Sequence, residues 1–109
     1  MAKFIPFRKG SEDLGDMDSR KWFGVALERA PAGGAGLTTA DFRKRARVWE
    51  ALDKAGDDGV TLEDADWDTL LAAVRSMRVE QASRAMQALV VAFEDDVATA
   101  TAPKEVQKS

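Results

Sequence analysis

Residues 37–56 read LTTADFRKRARVWEALDKAG and carry the local signals of one long amphipathic helix. Thr38 is a helix-capping residue, and Asp41 follows it at the third helical position. Leu37 and Phe42 stand at the spacing of a hydrophobic staple, in which two apolar groups clamp the entry turn. The segment therefore predicts a helix over residues 39–55 whose buried face holds Phe42, Ala46, Trp49 and Leu52.

Two other helices are predicted to start in the same way. Met17-Asp18 precedes Trp22, and Val60-Thr61 precedes Ala65 with an aspartate at the third helical position. A fourth apolar stripe at helical spacing lies near the end of the chain. Together with the helix at 39–55, these signals predict helices at residues 19–30, 63–77 and 81–97. Four amphipathic helices with short linkers predict an all-α fold, a compact four-helix domain.

The two ends of the chain lack helical signals. Residues 1–16 are expected to form an N-terminal arm or loop, in which Phe4-Ile5-Pro6-Phe7 suits a short extended arm or an edge strand. A short extended bridge is also expected at residues 60–62. The helical domain then occupies residues 17–97, and residues 98–109 are expected to be a disordered tail, because they offer few large apolar groups to bury.

Composition narrows the function classes. The 109 residues include no cysteine and no histidine, which removes thiolate chemistry, disulfides and the commonest general base and metal ligand. The net charge of −3 is too small to indicate a polyanionic partner. The chain shows neither a signal peptide nor an apolar run long enough to cross a membrane. We therefore expect no catalytic residues, no cofactor and no membrane partner, and a cytoplasmic location.

Residues 53–64 resemble the calcium-binding loop of an EF-hand. The resemblance is incomplete, because Ala55 has no side-chain oxygen, Asp58 replaces the turn glycine, and Asp64 replaces the bidentate glutamate. The same residues can simply end one helix and start the next, and we prefer that interpretation. The alternative is a weak metal site with the ligands Asp53, Asp57, Thr61 and Asp64.

Charges are segregated along the middle of the chain. Arg43, Lys44 and Arg47 share one helical face, here called the basic ridge, while Arg45 projects apart from them. The ridge suggests a nucleic-acid site, but the next helix begins with acidic residues that would repel phosphates, so nucleic-acid binding is disfavoured. Those acids do not indicate paired-carboxylate catalysis either, since no basic or hydroxyl partner accompanies them. The acids are Glu63, Asp64, Asp66 and Asp68.

Residues 88–93 form a continuous apolar run, ALVVAF, within the fourth helix. A monomer needs only one apolar stripe of a helix buried, so part of this run is expected to face outward. We expect Val91 on that less buried side, in a partner-binding surface with the basic ridge. The three tryptophans, at positions 22, 49 and 67, are expected in the core.

Four segments carry a resemblance to small proteins of unknown mechanism encoded in the head and tail structural gene clusters of tailed bacteriophages and prophages. They are Phe4–Phe7, Ala51–Ala55, Leu62–Asp66 and Val90–Val97. The resemblance implies an accessory role in virion assembly, no enzyme activity, and a phage structural or tail protein as partner, in the bacterial cytoplasm or the virion. It brings no site residues. Self-association is an open alternative, as is a small regulator that binds calcium or nucleic acid.

Overall fold

The computed structural model describes residues 2–9, 18–29, 36–77 and 83–101. In chain order the elements are β1 (Lys3–Pro6), α1 (Ser19–Leu27), α2 (Thr39–Lys54), β2 (Gly59–Leu62), α3 (Asp64–Arg75) and α4 (Arg84–Ala98). About 64% of the described residues are helical. The prediction of a mostly helical, four-helix fold is confirmed. The stricter prediction of an all-α fold is wrong, because β1 and β2 form a small antiparallel sheet.

The sheet joins the beginning of the chain to its middle. Lys3 pairs with Leu62 at one end of the antiparallel ladder, and Pro6 pairs with Gly59 at the other. A side chain at Gly59 would overlap the Ile5 carbonyl, so the strands can approach this closely only at a glycine. On the other side of β1, the Phe4 N–H donates to the Thr101 carbonyl at 2.8 Å. The expected extended arm is thus strand β1, and the expected bridge at 60–62 is part of β2.

At two of the predicted helix starts, the expected side chain caps the helix. At α2, the Thr38 hydroxyl accepts from the Asp41 N–H at 3.1 Å, and the Asp41 carboxylate accepts from the Thr38 N–H at 3.0 Å. This reciprocal pair satisfies two donors that the helix itself leaves free. At α1, Asp18 accepts from the Lys21 N–H at 2.8 Å.

Helix α3 begins at Asp64, one residue after the predicted start, but the predicted capping residue is wrong. Thr61 does not cap the helix, because it lies in β2 opposite Phe4. Glu63 takes the cap position without a side-chain hydrogen bond to the helix. The fourth helix also starts later than predicted: Ser83 caps it by accepting from the Met86 N–H at 3.2 Å, and residues 81–82 lie outside the described residues.

The buried face of α2 is rotated from the predicted one. Leu52 is buried as expected, but Phe42 is 58% exposed and Ala46 is also exposed. The buried side chains of this helix are Arg45, Val48 and Leu52. The physical reason is that Arg45 points inward, so the buried stripe of α2 runs along the side of the helix that carries Arg45.

Helix α3 is central to the fold, since it packs against α1, α2 and α4. The predicted core tryptophans differ in depth: Trp22 is buried against Phe93 with ring centroids 6.0 Å apart, while Trp49 and Trp67 are half-buried. The Trp67 indole donates to the Val97 carbonyl at 2.8 Å and so joins α3 to α4. The apolar core contains Ile5, Trp22, Phe23, Val48, Leu52, Leu62, Leu70, Val74, Phe93 and Val97.

Just beyond α4 the chain contacts strand β1. Ala98 is its last helical residue, and Thr101 pairs with β1 as described above. Residues 102–109 of the predicted disordered tail lie outside the described residues. Among the helices that the structure describes, none is long and apolar enough to cross a membrane.

Candidate interaction surface

Helix α4 presents a narrow stripe to solvent. Four exposed residues form it, and we call them the outer stripe: Arg84, Ala88, Val91 and Asp95. At 3.6 residues per turn these positions fall within about 60° of one another around the helix axis. Val91 is 57% exposed, and with Phe42 it is one of two large apolar side chains found exposed among the described residues.

The outer stripe lies opposite the buried face of the same helix. Phe93 and Val97 are fully buried, while Leu89 and Val90 pack against the core from the flanks. The continuous apolar run therefore divides around the helix, and Val91 lies on the side away from the core. This position agrees with the one expected from the sequence, although its role in binding stays a prediction.

Ion pairs hold both flanks of α4. On one side Arg75 of α3 donates to the Glu94 carboxylate at 2.9 Å. On the other, Arg8 makes a two-point contact with Asp96, with distances of 2.9 and 2.8 Å. These contacts fix the rotation of α4 about its axis, so the outer stripe faces solvent in one defined orientation.

The surface around Val91 is open. Arg84, Gln87, Ala88 and Val91, all of α4, line a shallow depression of about 720 Å³. Its floor combines small and apolar groups with the arginine at one end. Such a surface fits another helix better than it fits a small molecule, which would be left largely exposed.

The basic ridge lies on a different part of the surface. Arg43, Lys44 and Arg47 are all exposed on α2, and Arg47 donates to Asp66 of α3 at 3.2 Å. Lys44 lines a separate groove of about 460 Å³ with Asp68 and other residues of α2, α3 and the preceding loop. The structure thus places Val91 and Lys44 in separate grooves.

Arg45, although within the same run of basic residues, points inward. It is 8% exposed, and its Nη1 donates to the carbonyls of Ala26, Leu27 and Arg29 at 3.2, 2.8 and 2.8 Å. These carbonyls lie at the end of α1, which has no basic residue of its own in its last turn. The guanidinium therefore adds donors at the end of α1, where of the three carbonyls Ala26 also accepts from the Arg29 N–H, and it places positive charge at the negative end of the helix dipole.

Arg20 of α1 makes the reciprocal contact. Its Nη2 donates to the carbonyls of Leu52 and Ala55 at the end of α2, the second at 3.2 Å. Its guanidinium also lies over the Phe7 ring, 5.3 Å from the centroid. We call Arg20 and Arg45 the inner arginines. Each projects from one helix and caps the carboxyl end of the other.

The four residues of the weak metal alternative do not converge. Asp53 and Asp57 are exposed, and Thr61 is held in β2. Asp64 accepts from Lys3 at 3.3 Å on the far side of that strand. Within the described ranges, which include this whole loop, no group of three acidic side chains is placed to hold a metal ion.

The acids at the start of α3 likewise have separate contacts. Asp64 pairs with Lys3 and Asp66 with Arg47, whereas Asp68 lines the groove with Lys44. Among the described residues, the basic ridge and these acids are joined by one ion pair, Arg47–Asp66.

The pKa values of Asp41 and Arg8 are shifted by contacts described above. Hydrogen bonds from the Thr38 backbone and hydroxyl lower the pKa of Asp41, because they favour its charged form. The hydrogen bonds and negative charge of Asp96 raise the pKa of Arg8. Both shifts belong to structural contacts: a helix cap, and an ion pair between the segment after β1 and helix α4.

Sequence reasoning missed the Arg8–Asp96 clamp and the exposure of Phe42. No local signal identifies the clamp, since its residues stand 88 positions apart. Phe42 was assigned to the core because it fits the staple spacing. Its exposure depends on the tertiary packing, which decides which face of α2 contacts α1.

Comparisons with known proteins gave no match: no family model, curated protein or solved structure is similar to this chain.

Proposed function

We propose that this protein is a non-enzymatic binding module that contacts another protein through the outer stripe of α4. The observation that carries the proposal is Val91, a large apolar side chain held in solvent, opposite the buried face of its helix. An apolar side chain exposed to water is unfavourable in free energy, and covering it with a partner is favourable. Ala88, one turn earlier, leaves space for a partner to approach.

The flanking ion pairs support the same proposal. Because Arg75–Glu94 and Arg8–Asp96 fix the rotation of α4, the stripe is presented to a partner without further ordering. A surface that is already ordered loses less entropy on binding. Apolar contact at the centre with charges at both ends is the usual arrangement of a small protein interface.

The test is a single substitution with a matched control. Val91→Asp is expected to leave helicity by circular dichroism nearly unchanged, because the site is exposed and the two residues have similar helix propensities. It is expected to reduce partner capture in affinity purification from the native host at least tenfold. Phe42→Asp, at the equally exposed apolar side chain of α2, should retain capture. Equal capture by all three proteins would contradict the proposal.

The basic ridge is the second part of the proposed surface. Arg43 and Lys44 make no ion pair among the described residues, so both are free to attract an acidic partner. Charges of this kind act mainly on association rate and on salt dependence. Arg43→Ala and Lys44→Ala are therefore expected to slow binding at low salt. Unchanged rates would restrict the site to α4.

The setting we propose is virion assembly in a phage or prophage, in which this protein acts together with a structural or tail protein. It rests on the resemblance of the four sequence segments. The gene neighbourhood tests it directly. A position between capsid or tail genes would support this setting, and a position far from any such cluster would contradict it without bearing on the binding surface.

A further inference from the structure

We propose that the occupant of the outer stripe is a second copy of this chain, packed antiparallel on α4 about a two-fold axis. The inference rests on the proposed function, since it names the partner of the same surface. It comes from the order of residues along the stripe. Arg84 lies at one end, Asp95 at the other, and the small and apolar residues Ala88 and Val91 lie between them.

This order is self-complementary. The midpoint of the stripe falls between residues 89 and 90, so a two-fold axis there places Arg84 of one copy opposite Asp95 of the other. The same axis places Ala88 opposite Val91. Every contact then occurs twice, as a two-fold interface requires. A parallel arrangement would instead place like charges together.

The charges that this pairing needs are unengaged in the monomer. In the part of the chain that the structure describes, neither Arg84 nor Asp95 forms an ion pair, although their neighbours Glu94 and Asp96 both do. Arg84 and Asp95 are about 16 Å apart along the helix, at a rise of 1.5 Å per residue, which is too far for them to pair within one copy. Charge complementarity across the axis is therefore available without breaking an existing contact.

Size sets the strength of the dimer. One helix pair of this length buries less than the roughly 1,200 Å² of a stable interface. Ala88 opposite Val91 allows the helix axes to approach to about 8 Å, the lower end of helix packing. We therefore expect a weak, reversible dimer with a Kd of about 10 µM to 1 mM.

The first experiment measures self-association of the purified full chain by analytical ultracentrifugation up to about 2 mM. The wild type should dimerise, Val91→Asp should raise the Kd at least tenfold, and Phe42→Asp should not change it. A monomeric wild type throughout would overturn the second-copy inference. The proposed function would survive that result if Val91→Asp still abolished capture of another protein, and would fail with it if capture were unaffected.

Charge exchange tests the antiparallel register. Arg84→Glu and Asp95→Arg each place like charges together at both ends of the interface and should weaken the dimer several-fold. The double variant Arg84→Glu/Asp95→Arg re-forms both pairs and should return the Kd to near the wild-type value. Additive weakening in the double variant would exclude this register.

Crosslinking supplies an independent distance. Since the chain contains no cysteine, Val91→Cys introduces a single thiol. In the proposed dimer the two copies of position 91 lie about 4.5 Å apart along the axis and about 3.4 Å apart across it, from the helical rise, the Cα radius and the axis spacing of about 8 Å. Their Cα atoms are then about 5.6 Å apart, within the range of a disulfide. Oxidation should give a covalent dimer far faster for Val91→Cys than for Phe42→Cys. Equal rates would show that the crosslink comes from random collision.

Discussion

The inner arginines and the basic ridge contain the same kinds of side chain in opposite surroundings. Arg43 and Arg47 lie in solvent on either side of Arg45, whose guanidinium is buried against three backbone carbonyls. The difference arises from what lies beside α2 and not from the local sequence. A run of positive charge can therefore contain a structural residue that contributes nothing to an electrostatic surface.

The strongest test of this comparison is Arg45→Ala. It removes the side-chain donor to the Leu27 and Arg29 carbonyls, while the Ala26 carbonyl keeps its hydrogen bond from the Arg29 N–H, so we expect a loss of about 3 kcal/mol in the free energy of unfolding. Chemical denaturation measures it. Arg43→Ala, two positions earlier, is the control and should change stability by less than about 0.5 kcal/mol. Similar losses in the two variants would remove the distinction between buried and exposed arginines.

Arg45→Met separates charge from packing. Methionine keeps most of the aliphatic volume of the arginine stem but donates no hydrogen bond. If the carbonyl contacts dominate, Arg45→Met should be nearly as destabilised as Arg45→Ala. Recovery of most of the stability would instead assign the role of Arg45 to its stem.

Arg20→Ala should have the next largest effect, about 2 kcal/mol in the free energy of unfolding. The expected loss is smaller because Arg20 is only half-buried and the Leu52 carbonyl keeps its hydrogen bond from the Ala55 N–H. Thermal unfolding measures this loss, and Lys21→Ala, at the exposed neighbouring position, is the control. A larger loss for Arg20 than for Arg45 would reverse the order of the two caps.

The pH dependence distinguishes the arginine caps from the capping box. Arginines stay charged throughout, so the losses in Arg20→Ala and Arg45→Ala should not vary between pH 3 and 7. The pKa of Asp41 is lowered in the folded protein, so its contribution is present above the unfolded value of about 3.9 and is lost as the pH falls through the folded value. Asp41→Asn should therefore destabilise the protein at pH 7, and this difference should shrink as the pH falls through the lowered pKa of Asp41. A constant loss would show that the charge of Asp41 is unimportant.

Arg47→Ala is expected to have the smallest effect, at most about 0.5 kcal/mol, because its ion pair with Asp66 is largely exposed. Denaturation in low and high salt should show that even this difference diminishes with screening. A loss comparable to that of Arg20→Ala would place Arg47 with the inner arginines.

The features that were predicted correctly depend on interactions between residues that are close together in the chain. The Thr38–Asp41 capping box was predictable because all its atoms belong to one helical turn. The outward position of Val91 was predictable because residues 88–93 contain more apolar side chains than one buried face can hold. Both signals are local to one helix.

What it did not predict depends on distant neighbours. Thr61 has a good capping sequence, but strand β1 pairs with it and places it in a sheet. Arg45 is buried and Phe42 is exposed because the face of α2 that meets the end of α1 carries Arg45, whose guanidinium donates to the carbonyls there. The order of charges along α4 was present in the sequence, but it became interpretable only when the outer stripe was known to be exposed.

Strand β1 also determines the order in which the protein can assemble. Its contacts with β2 and with Thr101 close loops of more than 50 residues, and of nearly the whole described chain. Closing such loops costs entropy before any contact is gained, whereas helices form from local hydrogen bonds within about a microsecond. The helices should therefore collapse around α3 first, with β1 joining late. Until β1 joins, the edge of β2 is unpaired. The folding chain should therefore pass through a helical state, which pairing of β1 with β2 then stabilises.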